Sequence, residues 1–169
     1  MKKSTAMHLL NTTAAKSLCL SRKIGAMITD PEDHILSVGW NGPLLPCDLR
    51  YTTDKDLRER LGILNNEVDL SNTEGQCPRK LLNLPSGQGL EICPALHAEA
   101  RAIAYAGLQG VSTAGAFMYV SCGVPCNQCL LLIIAAGLTR VYVENLNHYD
   151  KLTSLVLEHT HLKILLMED

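Results

Sequence analysis

Two short clusters in this sequence carry residue types that bind metal and move protons. His97-Ala98-Glu99 lies in one stretch of helical pattern, and Pro125-Cys126-Asn127-Gln128-Cys129 opens the next. Residues three apart share a face of a helix, so the sulfurs of Cys126 and Cys129 can reach a single ion. The partial positive charge of a helix N-terminus also favours the thiolate, the form that binds metal. Adding the His97 imidazole gives three protein ligands, the number that leaves a catalytic zinc its fourth position for water. Glu99 stands two residues from His97 and is better placed to serve that water as general acid and base than to bind the ion. Alone, C-x-x-C serves as readily as a structural clip or a redox pair. H-A-E on the preceding helix and Pro125 directly before the first cysteine select the catalytic reading.

The remaining cysteines and the composition bound the setting. Seven cysteines in 169 residues cannot all pair. No secretory leader is expected, because Asn11, Thr12 and Thr13 interrupt the early apolar stretch. In the cytoplasmic location this predicts, clustered cysteines bind metal more often than they form disulfides. Fifteen Lys and Arg against seventeen Asp and Glu leave a net charge of -2, which argues against a chain built to coat nucleic acid. The longest apolar run, Leu130 to Leu138, falls far short of the roughly 20 residues that span a bilayer, so no membrane partner is expected. With 47% hydrophobic and 19% charged residues, the chain can build a packed core and is not globally disordered. Its length suits one domain, residues 1–169.

The elements that must position these clusters follow from periodicity. Helical spacing predicts a helix over Thr5–Leu20, then strands over Ile24–Thr29 and His34–Trp40 joined by the turn Asp30-Pro31-Glu32-Asp33. Residues 41–94 read as an irregular insertion with one helix near 54–64, too long a loop to lie unanchored. Helices are expected over Ala95–Ala106, Cys126–Ala136 and Leu152–His159, and strands over Ala116–Ser121, Thr139–Glu144 and Leu162–Met167. This alternation favours parallel strands with right-handed crossovers in an α/β sandwich.

The two clusters together form the H-x-E…P-C-x-x-C signature of zinc deaminases. The chain resembles the cytidine and deoxycytidylate deaminase superfamily, and within it the deoxycytidylate (dCMP) deaminases. The likeness covers most of the length. It runs through Lys23-Ile24-Gly25-Ala26, Gly39-Trp40-Asn41-Gly42, the two metal clusters, Met118-Tyr119-Val120-Ser121, Ala136-Gly137-Leu138 and Tyr149-Asp150-Lys151. The resemblance implies a cytidine deaminase-like three-layer α/β/α sandwich with a central five-stranded mixed sheet. It also implies hydrolysis of dCMP to dUMP and ammonia, a small-molecule nucleotide as partner, and a homo-oligomer, hexamer or dimer. It implies further that Asn41 hydrogen-bonds the deoxyribose, that the Ala98 amide meets the cytosine carbonyl, and that Tyr149 closes over the nucleotide. Three departures bear on substrate. Arg101 stands where the family usually has Asn, Trp40 replaces the usual Tyr, and the Ser121–Pro125 loop is one residue longer. Arg101 suits either a phosphate or a carboxylate on the helix surface; Arg22 and Lys23 are the other phosphate candidates.

Some members of this family hold a second, structural zinc. Cys19 and Cys47 fall where two of its ligands stand in the phage-type pattern, whose other ligands, a His and a Glu, find no match here. Cys77 and Cys93 could replace them in a four-cysteine site that pins the insertion. The alternative is four free thiols packed as small hydrophobes, the role also expected of Cys122. Three rival functions remain open. One is a dCTP or modified-cytosine nucleotide deaminase, another a tRNA adenosine deaminase sharing both clusters, and the last a silent zinc-binding paralogue, against which Glu99 argues.

Overall fold

Residues alternate between two faces along the central strands, and that alternation sets the layers. The computed structural model describes residues 1–44, 47, 56, 59, 76–85, 88–148, 150 and 152–169. They fall into two compact units, the first made of Met1–Ser17, Lys23–Asn41 and Leu96–Asp169, the second of Leu18–Arg22 and Gly42–Ala95. In the first unit a five-stranded sheet contains β1 (Gly25–Thr29), β2 (Ile35–Trp40), β5 (Phe117–Val120), β6 (Arg140–Val143) and β7 (Lys163–Leu166), in the order β2-β1-β5-β6-β7. β1 pairs antiparallel with both neighbours, placing Ala26 opposite Val120, while β5, β6 and β7 run parallel. The sheet is therefore mixed, as expected for the deaminase fold.

Helices cover both faces. Ala26, Ile28, Met118 and Val120 lie on one side with Val141 and Val143. There they meet Ala98 and Ala102 of α3 (Ala98–Leu108) and Leu130 and Ile133 of α4 (Asn127–Ala135), with Val156 and Leu157 of α5 (Leu152–Glu158) at the edge. Met27 and Tyr119 face the other way and pack with Ala6 and Leu10 of α1 (Lys3–Ala14) and with Met167. Each fully buried Leu or Ile contributes about 1.5–3 kcal/mol to this core. A Cβ at Gly25 would run into the Leu10 carbonyl, so β1 lies against α1 at a distance only glycine allows.

Two helix boundaries differ from the periodicity by three residues or more. α1 ends at Ala14, not Leu20. Thr12 and Thr13 turn their hydroxyls onto the His8 and Leu9 carbonyls, both at 2.9 Å, an arrangement that weakens a helix, and beyond the end Leu18 is exposed. α3 starts at Ala98 because Ala95–Leu96 is drawn into a short strand and His97 keeps an extended conformation as N-cap.

The second unit contains β3 (Gly42–Pro43), paired with β4 (Ala95–Leu96) at the unit's edge, and the short α2 (Pro78–Leu81). The Arg79 Nε donates to the Gln88 carbonyl at 2.6 Å and its Nη2 to the Pro85 carbonyl at 3.1 Å, bracing the turn that follows α2. Leu82 and Ile92 are buried. The helix expected near 54–64 lies outside the described residues except at Asp56 and Glu59, both helical. Among the described residues, no helix is long and apolar enough to cross a membrane.

Candidate metal centre

The strand-to-helix joints of the first unit bring the two chemical clusters together. His97 is the N-cap of α3, and Cys126, six residues past the end of β5, is the N-cap of α4. The His97 Nδ1 lies 3.4 Å from the Cys126 sulfur and 3.3 Å from the Cys129 sulfur. Among the described residues, this trio is the one group of three or more His, Cys, Asp or Glu whose ligand atoms all fall within 4.8 Å of one another. Glu99 follows in the first turn of α3 and is buried, 5% exposed.

Close backbone packing holds these joints. A Cβ at Gly39 would be driven into the Ala98 carbonyl and the Ala102 nitrogen, so the first turn of α3 sits directly on β2. The Ser37 hydroxyl adds a bond to the Ala102 carbonyl at 2.8 Å. On the other joint, Gly25 and Ser121 exchange two bonds, the Ser121 amide donating to the Gly25 carbonyl at 3.0 Å and the Gly25 amide to the Ser121 Oγ at 2.9 Å. The Val124 amide then donates to the Asn147 carbonyl at 3.0 Å and the Asn127 amide to the Asp150 carboxylate at 2.8 Å.

The donor set fits a divalent, sulfur-tolerant ion. The Cys129 thiol donates to Cys126 and draws it toward its thiolate, with His97 adding to the effect. The same hydrogen bond, burial and the nearby Glu99 charge push Cys129 upward. The pair therefore keeps one proton between two sulfurs unless a cation supplies the charge that lets both ionise, which zinc does. Burial raises Glu99 above the usual carboxylate range, and the Cys126 charge adds to the rise.

The other expected site residues fall into three groups. Ala98 opens α3 and is buried. Asn41 is buried at the end of β2, where its Oδ1 accepts the Ile24 amide at 2.7 Å and its own amide donates to the Ile24 carbonyl at 3.0 Å. Arg101 is 6% exposed, with its guanidinium 5.0 Å from the Trp40 ring and its Nη1 3.4 Å from the Tyr105 hydroxyl. Arg22 and Lys23 are exposed, in the second and first unit respectively. Tyr149 lies outside the described residues. Cys19, Cys47, Cys77 and Cys93 all belong to the second unit. Burial there, then Cys77, Cys19 and Cys93, push the Cys47 thiol above its ordinary value. Each of the other three thus acts on Cys47, but the four sulfurs do not close as the first trio does. Sequence reasoning named Gly39 and Asp150 only within the family likeness and gave neither a role at this site. Gly39 in a strand interior signals close approach, and Asp150 two residues before a helix signals a cap.

Comparison with known proteins bears on the same residues. Residues 1–145 match the family described as cytidine and deoxycytidylate deaminase zinc-binding region. The deoxycytidylate deaminase of Enterobacteria phage T4 is 29% identical, with 89% of this chain and 80% of that protein covered. That of Enterobacteria phage T2 is 29% identical over 89% and 82% respectively. The dCMP deaminase of cyanophage S-TIM5, solved with dCMP and dUMP, shares the fold with a TM-score of 0.61 at 23% identity, covering 98% of this chain and 96% of that one.

Proposed function

The chain belongs to the cytidine and deoxycytidylate deaminase family with its zinc-binding region, and we propose on that premise that it hydrolyses dCMP to dUMP and ammonia. The observation that carries the reading is the convergence of His97, Cys126 and Cys129 beside a buried Glu99. Those three side chains would hold the zinc ion, whose chemistry there would be to acidify the attacking water. Glu99 does the proton work. Its carboxylate removes a proton from the attacking water as the new C–O bond forms at C4 and delivers it to N3. The second water proton then goes to the departing amine, which leaves as ammonia when the C4–N4 bond breaks. The amide of Ala98, at the N-terminus of α3, donates to the base carbonyl, and the helix dipole strengthens that bond. Asn41 holds the sugar, and the family resemblance assigns Tyr149 to the nucleotide.

Arg22 and Lys23 are the candidate phosphate contacts because both are exposed. Arg101, packed on Trp40, bears on the site through α3 instead. A nucleotide is the preferred partner over RNA, since the net charge of -2 supplies no basic stripe. The whole of 1–169 is read as one cytoplasmic deaminase domain, with 41–94 as its insertion. A second, structural zinc on Cys19, Cys47, Cys77 and Cys93 is supported by their gathering in one unit, where Cys19, Cys77 and Cys93 all raise the Cys47 thiol. A homo-oligomer is supported by the exposed leucines of α4 and α5.

The test measures ammonia release from cytidine, deoxycytidine, dCMP, dCTP and 5-substituted dCMP, alongside zinc content. Turnover of dCMP is expected, with Glu99→Gln lowering kcat about 100- to 10,000-fold while the catalytic zinc stays bound. Activity on nucleosides but not on dCMP overturns the substrate, and full activity in Glu99→Gln overturns the role of Glu99. Near two zinc ions per chain supports the four-cysteine site and near one removes it.

A further inference from the structure

We propose that Asp150 is a positioning residue of the metal centre, its carboxylate tying the start of the Cys126–Cys129 helix to the segment that leads into α5. The two oxygens divide the work. One, Oδ2, accepts the Asn127 amide at 2.8 Å. The other, Oδ1, accepts the Leu152 amide at 2.9 Å and the Thr153 amide at 3.0 Å. Asn127 is bonded directly to Cys126, the N-cap of α4. Its peptide plane sets the direction of the backbone on which the Cys126 sulfur is mounted. The first four amides of any helix find no partner in its own ladder, and here one of them is met by a residue 23 positions downstream.

A second fastening makes the arrangement a clasp. Val124 donates to the Asn147 carbonyl at 3.0 Å, and a Cβ at Gly123 would lie 2.6 Å from that same oxygen. Cys126 is thus flanked by two fastenings, Val124 to Asn147 before it and Asn127 to Asp150 after it. Ligand-orienting groups of this kind act through the ligand and do not touch the metal, and losing one costs about 10- to 100-fold in metal affinity or activity. Only a carboxylate has acceptors for both helices. An amide keeps its carbonyl for Leu152 and Thr153 but turns an N–H₂ toward the Asn127 N–H.

Asp150→Asn therefore separates the two duties, retaining the cap of α5 and breaking the tie to α4. Zinc-loaded wild type and D150N are compared by zinc release to excess chelator, thermal unfolding and kinetics on dCMP. D150N is expected to keep a Tm near the wild-type value, to release zinc about tenfold faster, and to lose kcat with little change in KM. Zinc release at the wild-type rate overturns the proposal. Should D150N not fold, hydrogen exchange in the zinc-loaded wild type decides: a protected Asn127 amide supports the tie, and exchange at the rate of an exposed amide overturns it. The kinetic arm rests on the proposed dCMP reaction. Absence of turnover in wild type would count against that reading alone, since zinc release and amide exchange still report on Asp150.

Discussion

Arg101 shows how one altered residue redistributes charge beside a site. At this position, two residues past Glu99, a guanidinium replaces the Asn usual in the family, and it lies over Trp40 while Lys16 approaches the same ring at 5.1 Å. Arg101 over the ring ties the end of β2 to α3 by cation–π attraction, and Lys16 brings a second cation to the same indole. Elsewhere at this scale, Asp30 and His34 make an exposed pair at 2.8 Å. The hydrogen bond to Asp30, then its charge, raises His34 above 6.5. A folded value above the unfolded one means the pair stabilises fully below the unfolded midpoint and is lost as pH rises through the folded one. The His34 ring, followed by NMR, is expected to titrate above its midpoint in Asp30→Asn; equal midpoints would refute the pairing. Cys126 and Cys129 were legible in the sequence because ligand spacing is a local rule, and His97 because it stands two residues from Glu99 in a recognisable motif. Asp150 was legible only as a cap for α5, since no local rule pairs it with Asn127, 23 positions away.

Between elements, the seat of α3 on β2 decides how Glu99 is held. Gly39 leaves no space for a methyl group above it, and the atoms in the way are backbone, which cannot swing aside. Gly39→Ala is expected to lift the first turn of α3, lowering stability by roughly 1–3 kcal/mol and loosening His97 from the two sulfurs. Thermal unfolding and zinc content check this, and an unchanged Tm with full zinc would show that the helix shifts freely. The strand–helix alternation after residue 94 revealed the parallel half of the sheet, because each crossover needs a helix. Helix ends were less legible. Thr12 and Thr13 fit a helical period while their hydroxyls bond the backbone, and Ala95–Leu96 has helical composition but is recruited by β3.

At the scale of the molecule, apolar surface remains after the core is built. Leu131 and Leu132 of α4 are 50% and 46% exposed, and Leu152 and Leu155 of α5 are 55% and 52% exposed. Leucines gathered on adjacent helices are costly in water and suit a subunit contact. Sedimentation is expected to show an oligomer that Leu132→Glu shifts toward smaller species, whereas a wild-type monomer would refute it. The same α4 contributes Leu130 and Ile133 to the core and follows Cys126, so the exposed leucines and the metal centre share one helix. Trp40, the chain's one tryptophan, meets Tyr105 of α3 edge-on with ring centroids 5.8 Å apart. Its ultraviolet emission is thus a built-in optical gauge of how firmly α3 is docked, readable without any label while metal or nucleotide is added.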